Sequence, residues 1–188
     1  MMFLHLERAE MVYKRQKQYR LPGFDYAGEG DYFVTICIHD RKQYFGKIED
    51  GKMILSPLGK IVDEIWNKIP NEYKNVRLGS YQIMPDHFHG IVSIIRKNFI
   101  NEIPTFKSGI KNNPMELKNN SLGRMIRWFK GKVKFEASNI NSDFKWQSRF
   151  YDRIIRNEKE YYFISEYIIN NPINWGQEII KDYIEKNP

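Results

Sequence analysis

The segment Val76-Arg77-Leu78-Gly79-Ser80-Tyr81-Gln82-Ile83-Met84-Pro85-Asp86-His87-Phe88-His89-Gly90-Ile91-Val92-Ser93-Ile94-Ile95 contains two runs rich in β-branched and large apolar residues, 76–84 and 87–95, broken at Pro85-Asp86. This pattern predicts two strands joined by a tight turn. Side chains two apart in a strand share a face, so His87 and His89 project side by side while Phe88 points into the opposite layer. Only four histidines occur, His5, His39, His87 and His89, so the pairing of two of them asks for an explanation. Two neutral imidazoles at this spacing can share one metal ion, leaving other coordination positions to water, a third residue and a substrate oxygen. A half-buried strand whose polar face carries two histidines satisfies the same spacing, and spacing alone does not separate the two readings.

Around this pair the chain alternates strand and helix patterns. Tyr32-Phe33-Val34-Thr35-Ile36-Cys37-Ile38 follows the turn-like Gly28-Glu29-Gly30-Asp31 and reads as a buried strand. Residues 44–56 offer two short strands around Glu49-Asp50-Gly51-Lys52, where Asp-Gly is a hairpin signal. Ser56 suits an N-cap with Pro57 at the first helical position, and Leu58, Ile61, Val62, Ile65, Trp66 and Ile69 have helical spacing that should end near Pro70. A polar stretch at 97–120, rich in Asn and Lys, reads as an insertion loop. Beyond it, 121–137 is helical in pattern, 144–155 is irregular and turns to strand, and 158–170 is helical and stops before Pro172. The order β-β-β-α-β-β-loop-α-β-α predicts an α+β fold, with helices packed on a mostly antiparallel sheet. Residues 1–22 read as a basic N-terminal arm, 23–178 as one domain and 179–188 as a tail.

The 188 residues and 22.6 kDa suit one domain. With 41% hydrophobic and 28% charged residues, the composition argues against a disordered chain, a fibrous repeat or a membrane protein. No window approaches the ~20 apolar residues of a membrane-spanning helix, so no membrane partner is expected. The first residues lack the charge order of a signal peptide, and the lone Cys37 has no internal disulfide partner, so a reducing cytoplasm is the expected compartment. Thirty Lys and Arg against 23 Asp and Glu give a net charge of +7, which favours a polyanionic partner.

Two further elements carry candidate residues. On the last helix Tyr167 and Asn171 are four apart and share a face. Tyr167 also lies four from Phe163 and three from Ile164, so the spacing equally allows a core aromatic, and it does not choose among Tyr161, Tyr162 and Tyr167. On the helix from Ser121, Leu122, Met125, Ile126, Phe129 and Val133 fall on one face, and Arg124, Arg127, Lys130 and Lys134 form a stripe roughly 120° wide on another. The stripe suits a phosphate backbone or a solvated surface. The arm adds Lys14, Arg15, Lys17 and Arg20 with Tyr13 and Tyr19 interleaved, a pattern that suits single-stranded nucleic acid. No GxxxxGK[ST] loop is present, so chemistry driven by a bound nucleotide has no motif to support it.

Several stretches, in order, resemble the single-tyrosine HUH transposases, especially those associated with repetitive extragenic palindromes. Tyr32 to Ile38, with Asp40-Arg41 and Phe45-Gly46 after it, is similar to that family's first strand and hairpin. Met84-Pro85-Asp86-His87-Phe88-His89-Gly90 resembles its histidine-hydrophobic-histidine motif. Trp146-Gln147-Ser148-Arg149-Phe150-Tyr151-Asp152-Arg153-Ile154-Ile155-Arg156 and Glu166-Tyr167-Ile168-Ile169-Asn170-Asn171-Pro172-Ile173-Asn174-Trp175 resemble its C-terminal signature. The likeness spans residues 20–175.

The resemblance implies a ferredoxin-like or RRM-like core, a divalent metal, Mg²⁺ or Mn²⁺, on His87 and His89 with Asn171 completing its site, and Tyr167 as nucleophile. It implies cleavage of single-stranded DNA near a hairpin through a 5′-phosphotyrosine, with strand transfer that needs no ATP. Asp86 stands at a position that varies in that family, open between a partner that orients a ligand and no role. A rolling-circle replication initiator or relaxase would use the same chemistry, but the short chain and the lone candidate tyrosine of the C-terminal signature count against it. A non-catalytic RRM-like nucleic-acid-binding protein would place stacking aromatics, not two histidines, on the exposed sheet face. Both a monomer and a homodimer are compatible with the residues.

Overall fold

Alternation along the first strand divides the molecule into two layers. In the computed structural model, which describes residues 29–95 and 121–175, this strand is β1 (Gly30–Cys37). Tyr32, Val34 and Ile36 face one side, and Phe33, Thr35 and Cys37 the other. A short 3₁₀ turn (His39–Arg41) leads to the hairpin β2 (Gly46–Glu49) and β3 (Lys52–Leu55). Its Asp-Gly turn has positive φ at both central residues, 49° at Asp50 and 71° at Gly51, the twist that two-residue hairpins require.

Ser56 caps α1 (Pro57–Asn67) by accepting from the Gly59 N–H at 3.0 Å, as expected from the Ser-Pro pair. The single helix expected to run to Pro70 is interrupted at Lys68, and a short α2 (Ile69–Glu72) restarts with Pro70 in its first turn. Proline has no N–H to continue the preceding ladder but fits the start of a new one. Then come β4 (Val76–Met84), β5 (His87–Ile94), α3 (Leu122–Ala137), β6 (Tyr151–Ile155) and α4 (Glu158–Asn170).

The main sheet has the order β4-β5-β1-β6, with every neighbouring pair antiparallel. Leaving aside the small hairpin, the path β1-α1-β4-β5-α3-β6 is the βαββαβ plan of a ferredoxin-like plait. Helices α1 and α3 cover one face through a large core that includes Tyr32, Val34, Trp66, Phe88 and Phe129. Backbone room is scarce there. A Cβ on Gly90 would lie 2.7 Å from the Trp66 ring, so only glycine lets the indole approach β5. Helix α4 covers the other face, packing Ile164 and Ile168 on Phe33, Ile91 and Ile155. Among the described residues no helix is long and apolar enough to cross a membrane. The expected arm at 1–22, with Lys14, Arg15, Lys17 and Arg20, the loop at 97–120 and the tail at 179–188 lie outside the described residues.

Candidate active site

β5 is covered on both faces, so its histidines are not the outward polar face of a half-buried strand. His87 is 6% and His89 5% exposed. Their Nε2 atoms lie 2.9 Å apart. Each ring is fixed from behind. His87 Nδ1 lies 2.6 Å from Asp86 Oδ1, and His89 Nδ1 lies 2.8 Å from Thr35 Oγ1, because β1 and β5 pair with Thr35 opposite His89. The Asp86 carboxylate can only accept, so His87 donates from Nδ1 and turns the lone pair of Nε2 toward His89. Burial lowers both pKa values below the ordinary imidazole value, that of His89 well below, with the neighbouring His87 adding to the effect there. Asp86 opposes the shift at His87. Both rings are therefore neutral, the form that ligates metal.

The pair fits a divalent ion. Two ligands at right angles with bonds of about 2.1 Å stand about 3.0 Å apart, close to the spacing of the two Nε2 atoms. Nδ1 partners that fix ring orientation are the usual support of a ligating histidine. Thr35 suits this role in either tautomer, since its hydroxyl both donates and accepts. Among the described residues no group of three or more His, Cys, Asp or Glu gathers to hold a metal, so water, substrate oxygen or an amide would have to complete the set. Thr35→Val should lower metal affinity about 10- to 100-fold while leaving the sheet folded, as isothermal titration with Mn²⁺ would record.

Asp86 is itself clamped. Arg41 Nε donates to Asp86 Oδ2 at 2.9 Å, and Nη1 donates to Cys37 Sγ at 3.0 Å. Arg41 and the preceding Asp40 both occupy the left-handed region, at φ 53° and 55°. Two successive non-glycine residues there are costly and persist only where other contacts over-determine them, as the Arg41 bonds do. Burial pushes the Cys37 thiol up, with Arg41 opposing, so it remains a protonated packing group rather than a thiolate nucleophile.

The structure separates the three tyrosines of α4. Tyr162 is 65% exposed. The Tyr161 hydroxyl occupies the space above Gly79, within 2.4 Å of where a Cβ would stand. Tyr167 turns inward, its hydroxyl 3.3 Å from His89 Nε2 and its ring edge-on to His89 and Phe33. Asn171 is buried one turn further on, at the C-cap of α4. Two aromatic rings flank the histidines, Phe33 stacked on His89 and Trp175 stacked on His87.

The α3 stripe is split. Arg124 and Arg127 are exposed. Lys130 donates to Gln147 O at 2.6 Å and Lys134 to Ser142 O at 3.0 Å, so both tether the 142–148 segment to the helix. Burial lowers the Lys130 pKa. Sequence reasoning did not assign Thr35, Arg41 or Trp175 to the site. Thr35 is found only through strand register, and Arg41 through a backbone conformation that its residue type does not announce.

Comparison with known proteins points the same way as the site. The chain is 36% identical over 173 residues to an uncharacterized protein of Haemophilus influenzae, covering 87% of this chain and 91% of that one. It is 25% identical over 169 residues to a second H. influenzae protein, provisionally named a REP-associated tyrosine transposase, covering 85% and 80% of the two chains. Among solved structures it shares its fold with a REP-associated tyrosine transposase bound to a REP hairpin, at a TM-score of 0.57 and 18% identity over 84% of this chain and 73% of that one. No family model matches. These likenesses group the chain with proteins of the transposase kind. In sequence and in fold the chain is similar to the REP-associated tyrosine transposases.

Proposed function

We propose that the protein is a metal-dependent endonuclease and strand transferase for single-stranded DNA, cutting near a hairpin with Tyr167 as nucleophile. The observation that carries this reading is the Tyr167 hydroxyl 3.3 Å from His89 Nε2, beside two neutral, convergent imidazoles. His87 and His89, with Asn171 completing the set, would hold Mg²⁺ or Mn²⁺, which when bound supplies charge neutralisation at a non-bridging phosphate oxygen.

The residues of the chain do the rest. Tyr167 Oη attacks phosphorus and loses its proton to solvent. The bond from phosphorus to the 3′ oxygen breaks, and that oxygen leaves as a 3′-hydroxyl with a proton from water. The phosphate remains as a 5′-phosphotyrosine diester, so attack by a 3′-hydroxyl can reverse the step with no external energy source. Phe33 and α4 exclude water from behind the rings, and Asp86 and Thr35 keep the Nε2 atoms aimed at one point. The hairpin as substrate is supported by the related transposase bound to a REP hairpin, and exposed Arg124 and Arg127 offer charge for a phosphate backbone. An RRM-like binding module without catalysis needs an open sheet face for stacking, and here α4 covers the face that carries the histidines.

The test is incubation with hairpin-bearing single strands of the REP type, with Mn²⁺. A band that stays shifted in denaturing gel and disappears with EDTA is expected. Absence of any such adduct on every strand tried would remove the reading.

A further inference from the structure

The two rings flanking the histidines differ in exposure. Phe33 is 1% exposed, so its far side is spent in packing under α4. Trp175 stacks on His87 with centroids 5.9 Å apart and planes 20° from parallel, yet it is 36% exposed. Its position is fixed by the turn that follows α4. Asn174 donates from its backbone N–H and from Nδ2 to Asn170 O at 3.2 and 3.1 Å, and the Trp175 N–H donates to Pro172 O at 3.4 Å. An indole held in place beside a buried polar site, with part of its apolar surface left in water, is set out for a ligand with a flat face.

We propose that Trp175 is the stacking platform for the nucleobase adjoining the phosphate that Tyr167 attacks, so that base, indole and the His87 imidazole form one column. The inference rests on the reading that this site takes single-stranded DNA. Every base has a π face, so such a platform adds affinity and sets the strand's register without choosing the base. His87 is at once a ring beneath the indole and the bearer of an Nε2 atom at the site. Stacking on Trp175 therefore ties the position of the base to the position of the phosphate.

The test uses Tyr167→Phe protein, which leaves the strand uncut, and REP-type hairpin oligonucleotides with 2-aminopurine at each single-stranded position in turn. At one position binding should cut the fluorescence to about half or less, as a stacked base does. The quench should vanish with Trp175→Ala added and return with Trp175→Phe. An abasic site at that position should weaken binding about tenfold when Trp175 is present and have no effect on the Trp175→Ala protein. If the strand binds but Trp175→Ala leaves the quench unchanged at every position, or the abasic penalty is equal in both proteins, Trp175 is no platform and the nuclease reading is untouched. If none of these strands binds the protein, both readings fall together.

Discussion

Tyr167→Phe protein should form no covalent adduct with a hairpin-bearing strand, a loss of at least about a thousandfold, while its affinity for that strand should stay within about twofold of wild type. The substitution keeps the ring, and with it the edge-on contacts to Phe33 and His89 with centroids 6.3 and 5.4 Å apart. Only the hydroxyl is removed, so the fold has little reason to respond. Neither of the other two tyrosines of α4 is placed to replace it. The Tyr161 hydroxyl is turned over Gly79 and Tyr162 faces solvent. Tyr161→Phe should therefore form adduct at close to the wild-type rate. A denaturing gel compares the three proteins, and equal adduct from Tyr167→Phe would assign the chemistry to some other group.

Glu160→Ala should lower the stability of the fold by about 3 kcal/mol, seen as a lower urea midpoint. Glu160 is the buried anchor of α4. It accepts from Arg153 Nε at 2.8 Å on β6 and from the Arg156 N–H at 2.9 Å, while its own N–H donates to the N-cap Asn157 Oδ1 at 2.9 Å. Truncation leaves a guanidinium that is only 13% exposed without this carboxylate, and removing one partner of a buried pair costs more than the pair itself contributes. Glu160→Gln retains an acceptor for the Arg156 N–H and should lose less. A midpoint for Glu160→Ala equal to wild type would show that packing alone seats the helix.

Much of the architecture was legible because period and punctuation agreed. The break at Pro85-Asp86, the Asp50-Gly51 turn and the Ser56-Pro57 start all correspond to observed boundaries. At the site, the strand period placed His87 and His89 together, and nothing beyond β-pleat geometry was needed. Other features depend on contacts distant in sequence. Thr35 meets His89 across 54 residues and Tyr167 meets it across 78, and no local pattern encodes either meeting. Helical spacing could not choose among Tyr161, Tyr162 and Tyr167, because the choice is made by Gly79 and His89 on the sheet beneath. The wheel grouped Lys130 and Lys134 with Arg124 and Arg127 correctly by angle. It could not show that the irregular 142–148 segment returns to α3 and brings carbonyls for the two lysines to bond.

The unequal cores on the two faces of the sheet bear on how the molecule opens. Among the described residues most of the buried apolar side chains lie on the side of α1 and α3, whereas α4 is seated on a smaller apolar cluster, with the Arg153–Glu160 ion pair beside it. Hydrogen exchange should accordingly find the amides of α4 released at lower free energy than those of β1 and β5, as a separate unit of opening. On that expectation, the helix that carries Tyr167 would open and close while the Asp86 and Thr35 contacts of the histidine pair stay in place.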